Sequence, residues 1–176
     1  MTIPDLRAIK ILGLDVDGVM TDGRVIVHDD GQESKHFHSR DGLGLKILAG
    51  CGIEPVIITG RVSRVVEIRA RDLGISELHQ KVSDKWAVLA GILEKRGLSP
   101  QEAAFAGDDL IDLSVLSRVG LALAPADACP EVLAAAHFVS RAAGGRGAVR
   151  EMVEFILKGR GQWGEVVKNY IRADGL

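Results

Sequence analysis

The sequence predicts an α/β protein built on a doubly wound parallel sheet, and three observations carry that reading. Short apolar runs alternate with helix-patterned segments five or six times along 176 residues, the pattern of a parallel sheet with helices on both faces. The runs before Asp15, Thr59 and Asp108 stop abruptly in polar residues and glycine, and ligands of such sheets gather at the carboxyl ends of strands. No insert of domain size separates the runs. One domain is therefore expected over residues 1–160, followed by a tail over 161–176.

Composition narrows the class. A chain of this length buries a full core without disulfides or metals as staples. Hydrophobic residues make up 47% and charged residues 26%, as in soluble globular chains. Only 4% are aromatic, so Leu, Ile, Val and Ala must build the core. A net charge of −2 without a long basic run argues against a nucleic-acid partner. No stretch approaches the roughly 20 apolar residues of a membrane span, and MTIPDLRAIK lacks the pattern of a signal peptide. Cys51 and Cys129 match no metal spacing and read as reduced thiols, which places the protein in the cytoplasm.

The first strand is Ile9 to Leu14, ending in Asp15-Val16-Asp17-Gly18. In an extended segment residues i and i+2 point the same way, so Asp15 and Asp17 are expected to face one pocket. Two adjacent carboxylates repel unless a cation lies between them or one of them reacts. Arg24 to His28 and Glu33 to His38 flank Asp29-Asp30-Gly31-Gln32, the pattern of a hairpin projecting from the sheet. His36 and His38 share one face of it, with His28 near. A surface strand pair is the better reading there than a metal site. Next, Leu43, Ile47 and Leu48 recur at helical spacing, with Gly50 and Gly52 as the stop. Arg40 and Asp41 stand at the helix entrance, where they meet a ligand or serve as a solvated Arg and a capping Asp. The G-L-G of this stretch is not a full dinucleotide fingerprint.

Glu54 to Ile58 is a second buried strand, ending in Thr59-Gly60-Arg61. A hydroxyl, an unhindered glycine N–H and a guanidinium at a strand-to-helix junction make an anion cradle, with Thr59 as a helix N-cap the ordinary alternative. The helix from Val62 to Leu73 places Arg61 and Arg69 on roughly one face. Glu77 to Gln80 is a short third strand. Ser83 or Asp84 would cap the following helix, which runs to about Arg96. Lys85 then falls in the first turn, where the macrodipole disfavours a cation; it either serves an anion there or is an ordinary surface lysine. Ala103 to Ala106 is the fourth strand, ending in Gly107-Asp108-Asp109-Leu110-Ile111-Asp112. Three acids in five residues exceed what capping needs, and oxygen ligands at two strand ends suit a hard cation such as Mg²⁺. Leu121 to Ala124 and His137 to Val139 complete the strands, with a helix at Pro130 to Ala135 between them. After the flexible Ala143-Gly144-Gly145-Arg146-Gly147 comes an amphipathic helix, Ala148 to Leu157. The tail carries Trp163 and Tyr170 and reads as a loose helix or a docking tail. Acids with a metal, a hydroxyl and a lysine at the strand ends define a phosphate site with a nucleophile.

DVDGV, IITGR, DK and GDDLID, in that order, resemble the four signatures of the haloacid dehalogenase-like phosphohydrolases, a Rossmann-like fold. Over nearly the whole chain, DVDGVMTDG, the hairpin, RDGLG, IITGR, GDDLID, ADA and AGGRGAVRE resemble the family of 3-deoxy-D-manno-octulosonate 8-phosphate (KDO 8-phosphate) phosphatases. Close relatives of that family act on nonulosonic acid 9-phosphates. The resemblance implies a Mg²⁺-dependent phosphatase of lipopolysaccharide synthesis. It makes Asp15 the nucleophile that forms an aspartyl-phosphate, and Asp17 the acid and then the base. Mg²⁺ is held by Asp15, the Asp17 carbonyl and Asp108, with Thr59 and Lys85 on the phosphoryl oxygens. Asp109 and Asp112 support that shell, Asp112 orienting Lys85.

Sugar-acid contacts carry over to His38, Ser39, Arg40, Asp41, Gly42, Lys46, Gly60, Arg61 and Arg69, with Arg146 as a further contact. The chain departs from the pattern at His38-Ser39, where the family often has Asn-Val, and at Lys46, where arginine is common. The resemblance also implies a homotetramer in place of a mobile cap, with hairpins joined at the centre and a neighbour over each site. The tail is expected to reach such a neighbouring site. Three other readings compete. The first is a phosphatase of the same fold that acts on a nonulosonic acid 9-phosphate. A phosphomutase usually needs a cap, and a non-catalytic binding module would be expected to lack one of Asp15, Asp17, Lys85 or Asp108.

Overall fold

The protein is described by a computed structural model covering residues 4–172. Its centre is a six-stranded parallel sheet. In chain order the sheet strands are β1 (Ile11–Leu14), β4 (Glu54–Ile58), β5 (Leu78–His79), β6 (Ala103–Ala106), β7 (Leu121–Ala124) and β8 (Phe138–Val139). The spatial order β5-β4-β1-β6-β7-β8 puts β1 in the middle, paired with β4 on one side and β6 on the other. The winding direction reverses at β1, so the switch-point crevice opens at its carboxyl end. β1, β6 and β7 are buried at every position, which explains why they read as continuous apolar runs without alternation.

Helices cover both faces. On one lie α1 (Ser39–Gly50), α2 (Arg64–Leu73), α6 (Ala148–Gly159) and α7 (Trp163–Ile171); on the other lie α3 (Lys85–Arg96), α4 (Leu113–Leu116) and α5 (Pro130–Ala135). Each face has its own core, and the few aromatics sit at junctions. Phe105 of β6 lies against Gly13 of β1, where a Cβ would overlap its ring. In α6 the buried residues Ala148, Val149, Met152, Val153, Ile156 and Leu157 form one stripe at helical spacing. The G-L-G of α1 is a packing device: Gly42 receives the guanidinium of Arg69, and Gly44 receives Arg150 of α6. Leu43 is exposed, and Leu45 fills the core in its place.

The hairpin is smaller than its sequence pattern. Only β2 (Ile26–Val27) and β3 (Glu33–Ser34) pair, closed by a turn with Gly31 at φ +80°. Its outgoing arm is exposed, with Val27 66% accessible, while the returning arm dives back to the sheet's carboxyl edge. His28 Nε2 lies 2.8 Å from Ser34 Oγ, and none of His28, His36 and His38 joins a three-ligand cluster among the described residues. The tail is an ordered helix over most of its length: Val166 of α7 is buried, and Trp163 lies under Arg150 and Lys158 of its own chain. Residues 173–176 of the predicted tail lie outside the described residues. No helix of the described residues is long and apolar enough to cross a membrane.

Phe105 fills the space above Gly13, so Phe105→Ala is expected to lower stability by about 3–5 kcal/mol in urea unfolding. A loss under about 1 kcal/mol would show that the sheet closes without it.

Candidate active site

Two sheet strands and one helix start deliver the central group. Asp15 follows β1, its N–H bonded to Ala106 O of β6. Asp108 and Asp112 follow β6, and Lys85 opens α3. One oxygen from each of Asp15, Asp108 and Asp112 lies within 4.8 Å of the others. Lys85, with its side chain only 2% exposed, binds Asp15 Oδ2 at 2.9 Å and Asp112 Oδ1 at 2.6 Å. Its place in the first turn of α3, unfavourable for a cation, is explained by two buried carboxylates. Asp84 supplies the cap that Lys85 does not, accepting from the Ala87 N–H at 3.0 Å.

Asp112 is the anchor of this group. Its Oδ1 takes Lys85, and its Oδ2 accepts the N–H groups of Asp108 and Asp109 at 3.0 and 3.3 Å. Asp109 turns outward and caps the short 3₁₀ turn Leu110–Asp112. Asp108 therefore precedes the turn, not on one helical face with Asp112 as the four-residue spacing predicts. Close approach is achieved by bare glycines. Gly107 lies against Asp112, and Gly18, at φ +91°, lies against the Asp108 carboxylate.

The electrostatics leave this group short of positive charge. At about 4 Å, two carboxylates repel by roughly 4 kcal/mol even at an effective dielectric of 20, and burial adds to that cost. Burial pushes Asp15 up to about 6, against the pull of Lys85. Burial, and then the charges of Asp15 and Asp112, push Asp108 up to about 7. Asp15 Oδ1 and Asp108 Oδ1 are both buried without a hydrogen-bond partner. An all-oxygen set with two orphaned acceptors fits a hard divalent cation.

Asp17 arrives by a different route from the one predicted. The chain leaves the extended conformation after Asp15, and the N–H groups of Val19, Met20 and Thr21 converge on Val16 O. Asp17 thus sits on a turn, where strand alternation does not apply. Its carboxylate is met by the Lys35 ammonium from the hairpin and by Arg61 Nε at 3.6 Å. Thr59, at the end of β4, is buried, and its hydroxyl makes no hydrogen bond among the described residues. It is not the N-cap of α2; Ser63 is, accepting from Val66 N–H. Gly60 is open beside Thr59, with Val82 O the only neighbour of a Cβ.

The expected sugar contacts divide into distinct settings. Asp41 is buried and committed to the fold: its two oxygens accept the N–H groups of Gly147 and Arg150, holding the start of α6. Gly42 gives Arg69 its slot, where the guanidinium lies 5.5 Å from the Phe37 ring. His38 occupies the N-cap position of α1 with Nδ1 buried and unpartnered, and Ser39 is exposed. Arg40 and Arg146 line a cleft of about 570 Å³ with Arg141 and Arg150, and Arg146 reaches Asp22 at 3.7 Å. Lys46 is exposed on α1 and makes no ion pair among the described residues. The GGRG loop is pinned by Asp127, which accepts the Gly144 N–H at 2.9 Å, and Gly144 packs directly on Gly18 O. Lys35 had no signal in the sequence, because a lysine in a polar hairpin reads as a surface residue.

A strand-end aspartate facing a buried lysine and a second acidic loop, on this sheet order, defines a haloacid dehalogenase-like hydrolase. The haloacid dehalogenase-like hydrolase family matches residues 57–152. The chain is 45% identical over 157 residues to the 3-deoxy-D-manno-octulosonate 8-phosphate phosphatase KdsC of Escherichia coli K12, covering 89% of this chain and 84% of that one. Two solved structures superpose closely. The Moraxella catarrhalis phosphatase of that name, in complex with magnesium, phosphate and KDO, gives a TM-score of 0.92 at 37% identity, covering 94% and 95% of the two chains. The cobalt-bound Haemophilus influenzae phosphatase gives 0.86 at 36%, covering 89% and 92%. The chain belongs to the KDO 8-phosphate phosphatase family of haloacid dehalogenase-like hydrolases.

Asp15 and Asp108 hold protons more tightly folded than unfolded. In the metal-free protein their contribution to stability is full below the ordinary carboxyl value of 3.8 and is lost as pH rises through about 6 to 7. A cation competes with those protons. The rise in melting temperature on adding Mg²⁺ is therefore expected to be larger at about pH 8 than at about pH 5. An equal rise at both would contradict a cation among these carboxylates.

Proposed function

We propose that the protein is a Mg²⁺-dependent phosphatase that converts KDO 8-phosphate to KDO and inorganic phosphate. The observation that carries this reading is the buried group of Asp15, Lys85, Asp108 and Asp112 at the switch point, with orphaned oxygens on Asp15 and Asp108. Family membership and the KDO, phosphate and magnesium of the Moraxella catarrhalis structure support the substrate.

Asp15 attacks phosphorus, the bond to the sugar oxygen breaks, and an aspartyl-phosphate forms. Asp17 gives its proton to the departing oxygen and then takes one from the water that hydrolyses the intermediate. Lys85, Thr59 and the Gly60 N–H hold the phosphoryl oxygens, and Asp112 keeps Lys85 in place. The residues that would hold Mg²⁺ are Asp15, Asp108 and the Asp17 carbonyl; bound there, it screens the repulsion between a carboxylate and a phosphate dianion. Asp112, with both oxygens engaged, orients this group instead of binding metal. Arg61 and Arg69, with the arginines of the α1–α6 cleft, suit a substrate that carries a carboxylate as well as a phosphate.

No cap domain interrupts the described residues, and in this reading assembly encloses the site. A homotetramer fits the exposed Val25 and Val27 on the hairpin and the exposed Leu43, Val167, Tyr170 and Ile171 along α1 and α7. The protein acts in the cytoplasm in this reading. Deleting the residues after Arg160 is expected to change turnover, and unchanged kinetics would remove the tail from the site.

Phosphate release with Mg²⁺ from KDO 8-phosphate is expected to exceed that from a nonulosonate 9-phosphate or a simple sugar phosphate. In Asp15→Asn it is expected to fall by roughly a thousandfold or more, as for other nucleophile deletions. Slow, indiscriminate release would move the substrate elsewhere, and no release from any of them would favour a binding module.

A further inference from the structure

Asp17 sits inside a four-charge cluster that spans three parts of the chain. Lys35, on the returning arm of the hairpin, is held with its side chain only 2% exposed and its ammonium on Asp17 Oδ1. Arg61, from the Thr59-Gly60-Arg61 loop, places Nε 3.6 Å from Asp17 Oδ2 and a terminal nitrogen 3.8 Å from Glu33 Oε2. Glu33 stands two residues before Lys35, and its other oxygen, Oε1, is buried without a partner.

Burying an ammonium costs several kcal/mol of desolvation unless a close anion offsets it, so a surface lysine is not expected to fold inward by chance. The anion here is the one aspartate that the chemistry asks to move a proton. Asp17 lies on a turn, where its side chain has several staggered positions to choose from. A cation on each oxygen, one from the hairpin and one from the loop after β4, selects a single position. The unpartnered Glu33 oxygen leaves the cluster one hydrogen-bond donor short, as a site does when a hydroxyl-bearing ligand completes it.

We propose that Lys35 is a positioning residue for the leaving-group step: its ammonium fixes the Asp17 carboxyl group where the sugar oxygen departs. The inference rests on the phosphatase reading above. In that step the phosphorus–oxygen bond to the sugar breaks, and the bonding pair stays with the leaving oxygen. Asp17 Oδ2, which Arg61 approaches only to 3.6 Å, carries the proton that passes to that oxygen, and Lys35 on Oδ1 stabilises the carboxylate left behind. An alkyl oxygen needs the proton in order to leave, whereas a nitrophenolate departs without it.

The test compares kcat/KM, with Mg²⁺ and the full chain, for a series of substituted phenyl phosphates and one simple alkyl phosphate. These substrates carry no carboxylate, so a lost sugar-acid contact does not enter. Relative to wild type, Lys35→Met is expected to lose at least about tenfold more on the alkyl phosphate than on p-nitrophenyl phosphate, part of the 10²–10⁴ that a general acid supplies. The dependence on leaving-group acidity becomes steeper, and Lys35→Arg restores most of the difference. If Lys35→Met does not fold, Lys35→Gln carries the same comparison. An equal loss across the series would overturn the inference and leave Lys35 as an anchor for the hairpin. A wild type inactive on KDO 8-phosphate as well as on this series would overturn the phosphatase reading and this inference with it.

Discussion

The structure depends on one buried ammonium. Lys85 joins Asp15 at the end of β1 to Asp112 beyond the end of β6, with its chain enclosed and Phe105 beneath it. Neither carboxylate is affordable alone at that depth, and together with Asp108 they outnumber the lysine three to one. The fold tolerates this because β1 and β6 are rigid neighbours and because Gly18 and Gly107 let carboxylates come close to backbone. What remains is a deficit of positive charge, expressed as raised proton affinity at Asp15 and Asp108 and as two unpartnered oxygens. A divalent cation neutralises that deficit, and a phosphate dianion can then approach the carboxylates.

A second cluster lies beside the first and is built differently. Asp17, Lys35, Arg61 and Glu33 balance in charge, and they come from three places outside the sheet: a turn, a hairpin arm and a loop. The hairpin therefore has two ends with two characters. Its outgoing arm and tip are exposed, while its returning arm carries Lys35 to the carboxyl edge of the sheet.

Much of this was legible in the sequence. Ile9–Leu14, Glu54–Ile58, Ala103–Ala106 and Leu121–Ala124 read as strands because burial on both faces leaves apolar runs, cut off by Asp15, Thr59, Gly107 and Pro125. Lys85 stood out because a cation in the first turn of a helix needs a reason. Other features depend on contacts distant in the chain. Asp41 reads as a cap for its own helix, yet it holds the start of α6, more than a hundred residues on. Gly42 reads as part of a ligand loop, and its immediate task is to make room for Arg69. Strand alternation puts Asp17 beside Asp15, whereas the chain turns around Val16 O and presents its carboxylate to Lys35 and Arg61. Lys35 was missed because nothing local separates a lysine on a surface hairpin from one folded inward onto an aspartate.

The central claim is that Asp15, held by Lys85 and Asp112, becomes covalently bound to the phosphoryl group. The most direct measurement is to quench the Mg²⁺-loaded protein during turnover of KDO 8-phosphate, reduce it with borohydride, and map the product by mass spectrometry. The account predicts homoserine at position 15, formed by reduction of an aspartyl-phosphate, and none in protein quenched without substrate. Turnover with position 15 unmodified, or with the label at another carboxylate, would contradict it.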